Sequence, residues 1–322
     1  MSMDTLTHEA APLAAPADSA DDRAPACRLC GSGAPALVYR GPIRSGAFGQ
    51  WTRSQHAVLQ CEGCGCAYLD PFPEVDYSDS RYREAYDGSA DPHEFLRRHD
   101  AEQLGYLSLL RGRSLRDKVI VDIGAGGGSF LDCVAGQARR TIAVEPYVGY
   151  HASLRARRHT VFPDLAAMLE APDLPRVDLA VCFHVLEHVP DPVRFLQQVR
   201  GALHLDGVLY LVTPNRSDLL LRLGFPSYQR FFYRLVHLWY FSESSLRWLA
   251  REAGYAVERI FFLHSYDLSN AFCWAHEGVP TGRERLRGFD ERINGAWKDF
   301  LEQTGQADAV GAVLIPQGKA SL

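Results

Sequence analysis

The stretch that most constrains this chain runs from Val119 to Phe130, Val-Ile-Val-Asp-Ile-Gly-Ala-Gly-Gly-Gly-Ser-Phe. Val119 to Ile123 is rich in β-branched residues and predicts a buried strand. The glycines after it let the backbone turn tightly and bring its N–H groups close to a ligand where a helix starts. Asp122 is the odd member of that strand, because a carboxylate there needs a partner or a ligand. A second strand, Thr141-Ile-Ala-Val-Glu145, follows the intervening helix and again ends in an acid. A glycine turn followed by an acid roughly 20 residues on is a nucleotide-binding arrangement, the acid facing ribose hydroxyls.

From residue 118 the chain alternates. Strands are expected near 119–123, 140–145, 160–162, 177–183 and 207–213, and helices near 127–136, 148–158, 164–170 and 191–203. Such alternation implies right-handed crossovers and a parallel sheet covered on both faces. Ligands then bind beyond the carboxyl ends of the strands, where Gly124, Glu145, His184 and Thr213 should converge. Ser242 to Gly254 reads as a capped amphipathic helix, followed by strand 256–263 and, after a long insertion, a last strand near 310–315. The insertion, 266–308, carries Trp274, His276, Trp297 and a helical stretch from Arg283 to Glu302.

The turn fits G-x-G-x-x-G poorly, since its third glycine comes too soon. With Asp122 it reads D-x-G-x-G-x-G, and it is followed by Val177-Asp-Leu-Ala-Val-Cys-Phe-His-Val-Leu-Glu-His188 and Leu205-Asp-Gly-Val-Leu-Tyr-Leu-Val-Thr-Pro-Asn215. Over roughly 118–215 these motifs resemble the class I S-adenosylmethionine-dependent methyltransferases. The resemblance implies an α/β fold, Rossmann-like and doubly wound, with a mostly parallel seven-stranded sheet. It implies that Asp122, Gly124 and Gly126 hold the methionine end of S-adenosylmethionine, that Glu145 faces its ribose, that Asp164 and Leu165 contact its adenine, and that Ala125, Pro146 and Phe183 also line the cofactor site. Ser80-Arg-Tyr82-Arg-Glu-Ala-Tyr86 resembles the segment whose tyrosine covers the cofactor in such enzymes, with plain packing as the alternative. Residues 118–322 would form the methyltransferase domain, with insertions at about 216–241 and 266–308.

Two further features lie upstream. Cys27-Arg-Leu-Cys30-Gly and Cys61-Glu-Gly-Cys64-Gly are matching knuckles, 30 residues apart. Four thiolates so placed make a closed tetrahedral site, the mark of structural Zn2+. Cys66 is a spare that could replace Cys64. Residues 27–70 are therefore expected to form a small zinc ribbon, and 71–117 a helical linker that covers the cofactor, with a helix running from Asp91-Pro92 to about Arg111. Between the knuckles lie Arg40, Arg44, Arg53, Phe48, Trp51 and His56, which either read RNA or serve solubility and a thin core; the second reading is preferred.

Composition narrows the partners. The net charge of −5 gives no general pull toward nucleic acid or anionic membrane. The Ala/Pro/Asp-rich residues 1–26, with five acids against one arginine, read as a disordered leader without targeting character. No run is apolar enough to span a bilayer, so there is no transmembrane segment, and the C-x-x-C pairs suit a reducing, cytoplasmic setting. Residues 216–241 hold eight aromatics between Phe225 and Phe241, with Arg230, Arg234 and His237 spaced for the basic face of a helix. Such a helix suits an acceptor lid, a homodimer contact or a membrane surface.

The chemistry expected at the fourth strand's end is proton removal and alignment for methyl transfer. His184, Glu187 and His188 are the catalytic candidates, with His184 or His188 as base; His264 and Tyr266 are further ones. Some members of the resembled family bind a divalent cation at E-x-x-E-H, and this chain has His184 at the first position. The favoured acceptor is a small molecule, a sugar or natural-product precursor methylated on oxygen. A nucleic-acid methyltransferase and a non-catalytic binding module are the alternatives.

Overall fold

A computed structural model describes residues 26–281 and 286–318; all of the acidic leader except Ala26 lies outside them. The chain opens with three antiparallel strands, β1 (Ala36–Gly41), β2 (His56–Gln60) and β3 (Ala67–Asp70), then two helices, α1 (Ser80–Tyr86) and α2 (Pro92–Tyr106). Both helices start on an aspartate cap: Asp79 accepts from the Arg81 amide and Asp91 from the Glu94 amide, each at 2.9 Å. The helix expected to reach Arg111 ends its α turns at Tyr106 and tightens into a 3-10 turn over Leu107–Leu110.

Next come β4 (Val119–Ile123), α3 (Ser129–Ala135), β5 (Arg140–Val144), α4 (His151–Ala156), β6 (Thr160–Phe162), α5 (Leu165–Leu169), β7 (Val177–Phe183), α6 (Pro192–Ala202) and β8 (Leu203–Pro214). The insertion supplies α7 (Leu219–Arg222), α8 (Pro226–Phe232) and β9 (Trp239–Tyr240). The chain closes with α9 (Glu243–Glu252), β10 (Tyr255–Leu263), α10 (Leu268–His276), α11 (Glu291–Gln303) and β11 (Ala309–Pro316). The large sheet has the order β10-β11-β8-β7-β4-β5-β6, parallel except for β11, which runs antiparallel to both neighbours. This is the α/β, mostly parallel seven-stranded sheet expected from the sequence. From β4 the strand order runs outward in both directions, so the turn after β4 lies at the topological switch point where a crevice opens.

Every residue of β4 is buried. Val119, Val121 and Ile123 pack into the core under α6 and α9, whereas Ile120 packs with Phe95, Tyr106 and Phe130 on the opposite face. Strand alternation therefore directs Asp122 toward the face covered by α2.

The aromatic stretch 225–241 departs from expectation. Its helix stops at Phe232, and Arg234 and His237 are not on it. Extended pairing with β1's continuation wins instead: the Arg44 amide donates to the Tyr233 carbonyl and the Leu235 amide to the Arg44 carbonyl, at 2.9 and 2.8 Å. β9 then adds to β3, completing a four-stranded sheet, β1-β2-β3-β9. The aromatics are not a free face. Tyr228, Phe232, Tyr233 and Tyr240 fill a core with Ile43, Val58, Leu69 and Trp274. Arg44 lies over the Phe231 ring and Arg230 over Trp51, each at 4.1 Å, and Phe48 meets Trp51 and Trp274, so Arg44, Phe48 and Trp51 are engaged in packing while Arg40 and Arg53 are exposed.

The expected helix 283–302 begins only at Glu291; residues 282–285 lie outside the described ones. Helix α10 was not read from the sequence, although its cap, Asp267, was visible there. Among the described residues no helix is long and apolar enough to cross a membrane.

Candidate active site

The turn after β4 is held to β5, its Gly124 and Ala125 amides both donating to the Val144 carbonyl, at 2.7 and 3.2 Å. Gly124, Gly126 and Gly128 all have positive φ, a region that side chains other than glycine's rarely adopt. Space is as short as conformation. A Cβ on Gly124 would collide with Val185, and one on Gly126 or Gly127 with the Phe95 ring of α2. In this state the turn is roofed by Phe95, which stacks on His99 and meets Tyr150.

Glu145 follows β5 with no solvent exposure. Its Oε2 accepts from the Gly126 amide at 2.8 Å, and its Oε1 from the Tyr147 amide at 2.9 Å and from Arg83 Nη2 at 2.6 Å. Arg83, on α1, is itself ringed by Tyr82, Phe95 and Tyr150 at 5.3–5.9 Å. The cover segment thus places a cation on Glu145, the acid expected to face ribose. Sequence reasoning missed Arg83; its place between Tyr82 and Tyr86 was the signal available. Asp122, by contrast, has no ion-pair partner among the described residues. Burial pushes its carboxyl up to about 8, and the neighbouring Glu145 charge adds to the rise.

The remaining cofactor candidates are dispersed around this centre. Pro146 follows Glu145 and is half-buried. Leu165 is buried at the start of α5, but the Asp164 carboxylate caps that helix, accepting from the Ala167 amide at 2.8 Å. Phe183 is wedged between Tyr106 and Phe130. Tyr82 meets Tyr77 edge-to-face and Tyr86 at a tilt, and approaches His188 at 6.5 Å.

His184, Glu187 and His188 come together on the turn after β7. His184 adopts φ of 56°, a strained value for a residue with a Cβ, and its amide donates to the Val212 carbonyl at 2.8 Å. Its Nε2 lies 2.9 Å from the Tyr106 hydroxyl and its Nδ1 3.5 Å from Glu187 Oε1. Burial pulls its pKa down, but hydrogen bonding and charge from Glu187 outweigh that and hold it above the ordinary histidine value. Glu187 is buried, with Oε2 accepting from Thr213 Oγ1 at 3.0 Å and Oε1 facing His184 Nδ1. Burial alone would raise its pKa; His184 and His188 together bring it below the usual carboxylate value. His188 donates from Nδ1 to the Val236 carbonyl at 2.7 Å, since that oxygen can only accept, and this leaves Nε2 with a lone pair. Desolvation dominates at His188 and lowers its pKa. His264 lies elsewhere, paired with Asp308 at 2.9 Å.

The four knuckle sulfurs converge. Cys27 and Cys64 Sγ are 3.8 Å apart, and Cys30 and Cys61 Sγ 3.6 Å apart. A tetrahedron with Zn–S bonds of about 2.3 Å has edges of about 3.8 Å, so the donor set fits zinc in both chemistry and size. Gly31 and Gly65, each following a knuckle's second cysteine, have φ of 71°. Cys66 is outside the cluster, its sulfur directed at the Ala67 and Tyr240 carbonyls, so it does not stand in for Cys64.

The profile of the Methyltransferase domain family matches residues 95–260. Ubiquinone biosynthesis O-methyltransferase of Actinobacillus pleuropneumoniae is 30% identical over 118 residues, which is 33% of this chain and 50% of that protein. A probable S-adenosylmethionine-dependent methyltransferase of Mycobacterium tuberculosis is 36% identical over 124 residues, 38% of this chain and 43% of that protein. The chain spans about half the length of the curated relatives it matches. Among solved structures, a SAM dependent methyltransferase from Archaeoglobus fulgidus aligns with 17% identity and a TM-score of 0.47 over 73% of this chain and 98% of that one.

Proposed function

Because the chain belongs to the Methyltransferase domain family, we propose that it moves the methyl group of S-adenosylmethionine to an oxygen of a small acceptor, a sugar or natural-product precursor. The observation that carries this reading is the pairing of one acid-flanked glycine turn, Asp122 to Gly126 with Glu145, with a His184–Glu187 pair at the end of the adjacent strand β7. A relative named for O-methylation in ubiquinone biosynthesis supports an oxygen acceptor.

The donor supplies an electrophilic methyl on a sulfonium. The acceptor oxygen forms a bond to that carbon as the carbon–sulfur bond breaks, and the electron pair leaves on sulfur. What the protein must do is align, exclude water and remove the hydroxyl proton. Glu145 provides anionic character suited to the donor's ribose, and Asp122, whose buried carboxyl titrates only near 8 without donor, ionises beside the donor's ammonium. Glu145 accepts ribose hydroxyls once Arg83 yields its oxygen. His184 takes the acceptor's proton, and Glu187 stabilises the imidazolium that results. Tyr82 and Phe95 roof the site. Away from the cleft, Cys27, Cys30, Cys61 and Cys64 would hold a structural Zn2+ with all four positions filled, an ion that would support the fold and not the transfer.

Calorimetric titration with S-adenosylmethionine and with its demethylated product tests the reading. Binding of both at one site per chain is expected, weakened by at least ~10-fold in Glu145→Ala as a hydrogen-bonded anion is lost. No binding by the wild-type chain would overturn it. A screen of small hydroxylated acceptors with labelled donor then identifies the class. Label appearing only on RNA would exclude the small-molecule acceptor.

A further inference from the structure

The small sheet carries a charge pattern that the methyl transfer does not use. Residues 26–61 and 219–242 contain no Asp or Glu, in a chain with 39 of them. The two stretches meet at Arg44, which is bridged to Trp51 on one side and to Arg234 on the other. Bridged residues present their side chains to the same face of a sheet. Arg44 and Trp51 exchange no hydrogen bonds with each other, and side chains of such a pair stand closest. Arg230, from α8, lies over the Trp51 ring, so three guanidiniums gather on one face.

Packing accounts for the flat faces of these groups and leaves their edges unexplained. Arg44 sits over the Phe231 ring, which engages the face of its guanidinium while the N–H groups point outward in the plane. Arg44 is only 7% exposed, and its Nε and Nη2 are buried without hydrogen-bond partners, as is Arg230 Nε. Among the described residues no carboxylate pairs with Arg44, Arg230 or Arg234. A buried cation without a counter-ion is costly, and like charges gathered on one face repel. Desolvation lowers the pKa of Arg234, opposed only by the phenols of Tyr266 and Tyr240. Orphaned donors held in this way call for a partner that carries negative charge.

This face adjoins the turn after β7. The Leu235 amide donates to the Arg44 carbonyl, and the carbonyl of the next residue, Val236, accepts from His188 Nδ1. About 12 Å at most therefore separates the Arg44 carbonyl from the His188 ring. Desolvation, then the charges of Arg234, His188 and His184, lower the pKa of His237, so Arg234 shares the cleft with the candidate bases. We propose that Arg44, Arg230 and Arg234 hold a phosphoryl group of the acceptor. The inference rests on the methyl-transfer reading and adds a charge to its acceptor, whose hydroxyl meets His184 while a phosphate ester reaches the arginines. Guanidinium forks match phosphate oxygens two at a time. A phosphate monoester carries about −1.5 to −2 near neutral pH, which suits several cations better than the single charge of a carboxylate. RNA fits less well, because its backbone needs cations spaced along a track and these converge on one point.

The test is calorimetric titration of the full chain at low salt with inorganic phosphate, glucose 1-phosphate and malonate. One site per chain is expected, filled most tightly by glucose 1-phosphate and least tightly by malonate. Arg44→Met and Arg230→Met should each weaken glucose 1-phosphate binding by at least ~10-fold, as a charged hydrogen bond is lost. Melting separates binding from packing. Without ligand, Arg44→Met should melt no lower than wild type, because an unpaired buried charge is gone and Met still packs on Phe231. Glucose 1-phosphate should raise the Tm of the wild type and, at the same concentration, not that of the variant. No saturable binding of either phosphate, malonate bound as tightly as phosphate, or a lower Tm in Arg44→Met with affinity unchanged in Arg230→Met overturns the site. Glucose 1-phosphate bound no tighter than inorganic phosphate assigns a free-anion site and overturns the acceptor, as does a short single-stranded RNA bound more tightly through the same arginines. Titration with S-adenosylmethionine on the same samples keeps the two readings apart. Donor bound without phosphate defeats only this site, and phosphate bound without donor defeats only the methyl-transfer reading.

Discussion

Arg83 and Glu145 form an ion pair between the cover segment and the sheet, 2.6 Å long, in which the carboxylate has no solvent exposure and the arginine side chain 12%. A buried pair of this kind holds the cover closed but adds little net stability, since both charges lose their hydration. Breaking it from one side is another matter. Arg83→Met strands the Glu145 carboxylate and should lower stability by up to about 3–5 kcal/mol, whereas Arg83→Met with Glu145→Gln removes both charges and should recover a large part. Thermal unfolding of the four members of the cycle measures this. Equal losses in the single and double variants would show that the pair does not couple.

Asp122 should set a trade between stability and donor binding. Its carboxyl is raised in the folded protein to about 8, above its ordinary unfolded value near 3.9. Between those two pH values the folded state binds more protons than the unfolded state, so this residue's contribution falls as pH rises from about 4 to about 8. Asp122→Asn removes that loss. The variant should be more stable than wild type at pH 8 by at least ~1 kcal/mol, or ~2–4 °C in Tm, and nearly equal to it at pH 4. It should also bind donor less well. Melting curves across pH check the first part, and a variant less stable at pH 8 would contradict it.

The pH profile of the reaction should follow His184. Glu187 and its neighbours raise the imidazole's pKa above the usual value in spite of burial, so the neutral base is present only above that raised value. Activity at low pH is lost as the ring is protonated. Glu187→Gln withdraws the principal charge, so the acidic limb of kcat/KM should move to lower pH while the maximal rate falls. His184→Gln should lower kcat by ~10²–10⁴ with donor affinity retained. An acidic limb that stays in place in Glu187→Gln would show that another group is being titrated.

These residues differ in how far the sequence disclosed them, and the difference is physical. The strands from β4 to β8 were legible because each is a short apolar run bounded by turn residues. Asp122, the glycines and Glu145 were legible because a turn at a switch point requires those residue types at that spacing. The knuckles were legible for the same reason. Arg83, Phe95, Tyr106 and His237 were not, because their roles arise from contacts across 30 or more residues, such as Phe95 with Gly126, Arg83 with Glu145 and Tyr106 with His184. The stretch 225–241 misled for a related cause. Its spacing favoured a longer helix, but pairing with Arg44 and β3 satisfied the backbone in extended form, and tertiary hydrogen bonding outweighed local pattern.

That same pairing ties the cysteine knuckles to the turn after β7. β3 follows directly on the second knuckle and pairs with β9 through Ala67–Tyr240 and Tyr68–Trp239. Just before β9, the Leu69 amide donates to the Leu238 carbonyl, and the Leu238 amide donates to the carbonyl of Glu187 itself, at 3.0 and 2.8 Å. Zinc lost from the knuckles should therefore loosen β3, then β9, and through Leu238 the turn that carries Glu187 and His188. Cys27→Ser or chelation is expected to release about one zinc per chain. Amide exchange at 236–241 and 186–189 should rise by at least ~10-fold, equivalent to about 1.4 kcal/mol of local stability, while β4 and β5 stay protected. Exchange confined to residues 27–66 would show that the knuckles form an independent unit whose metal does not support the site.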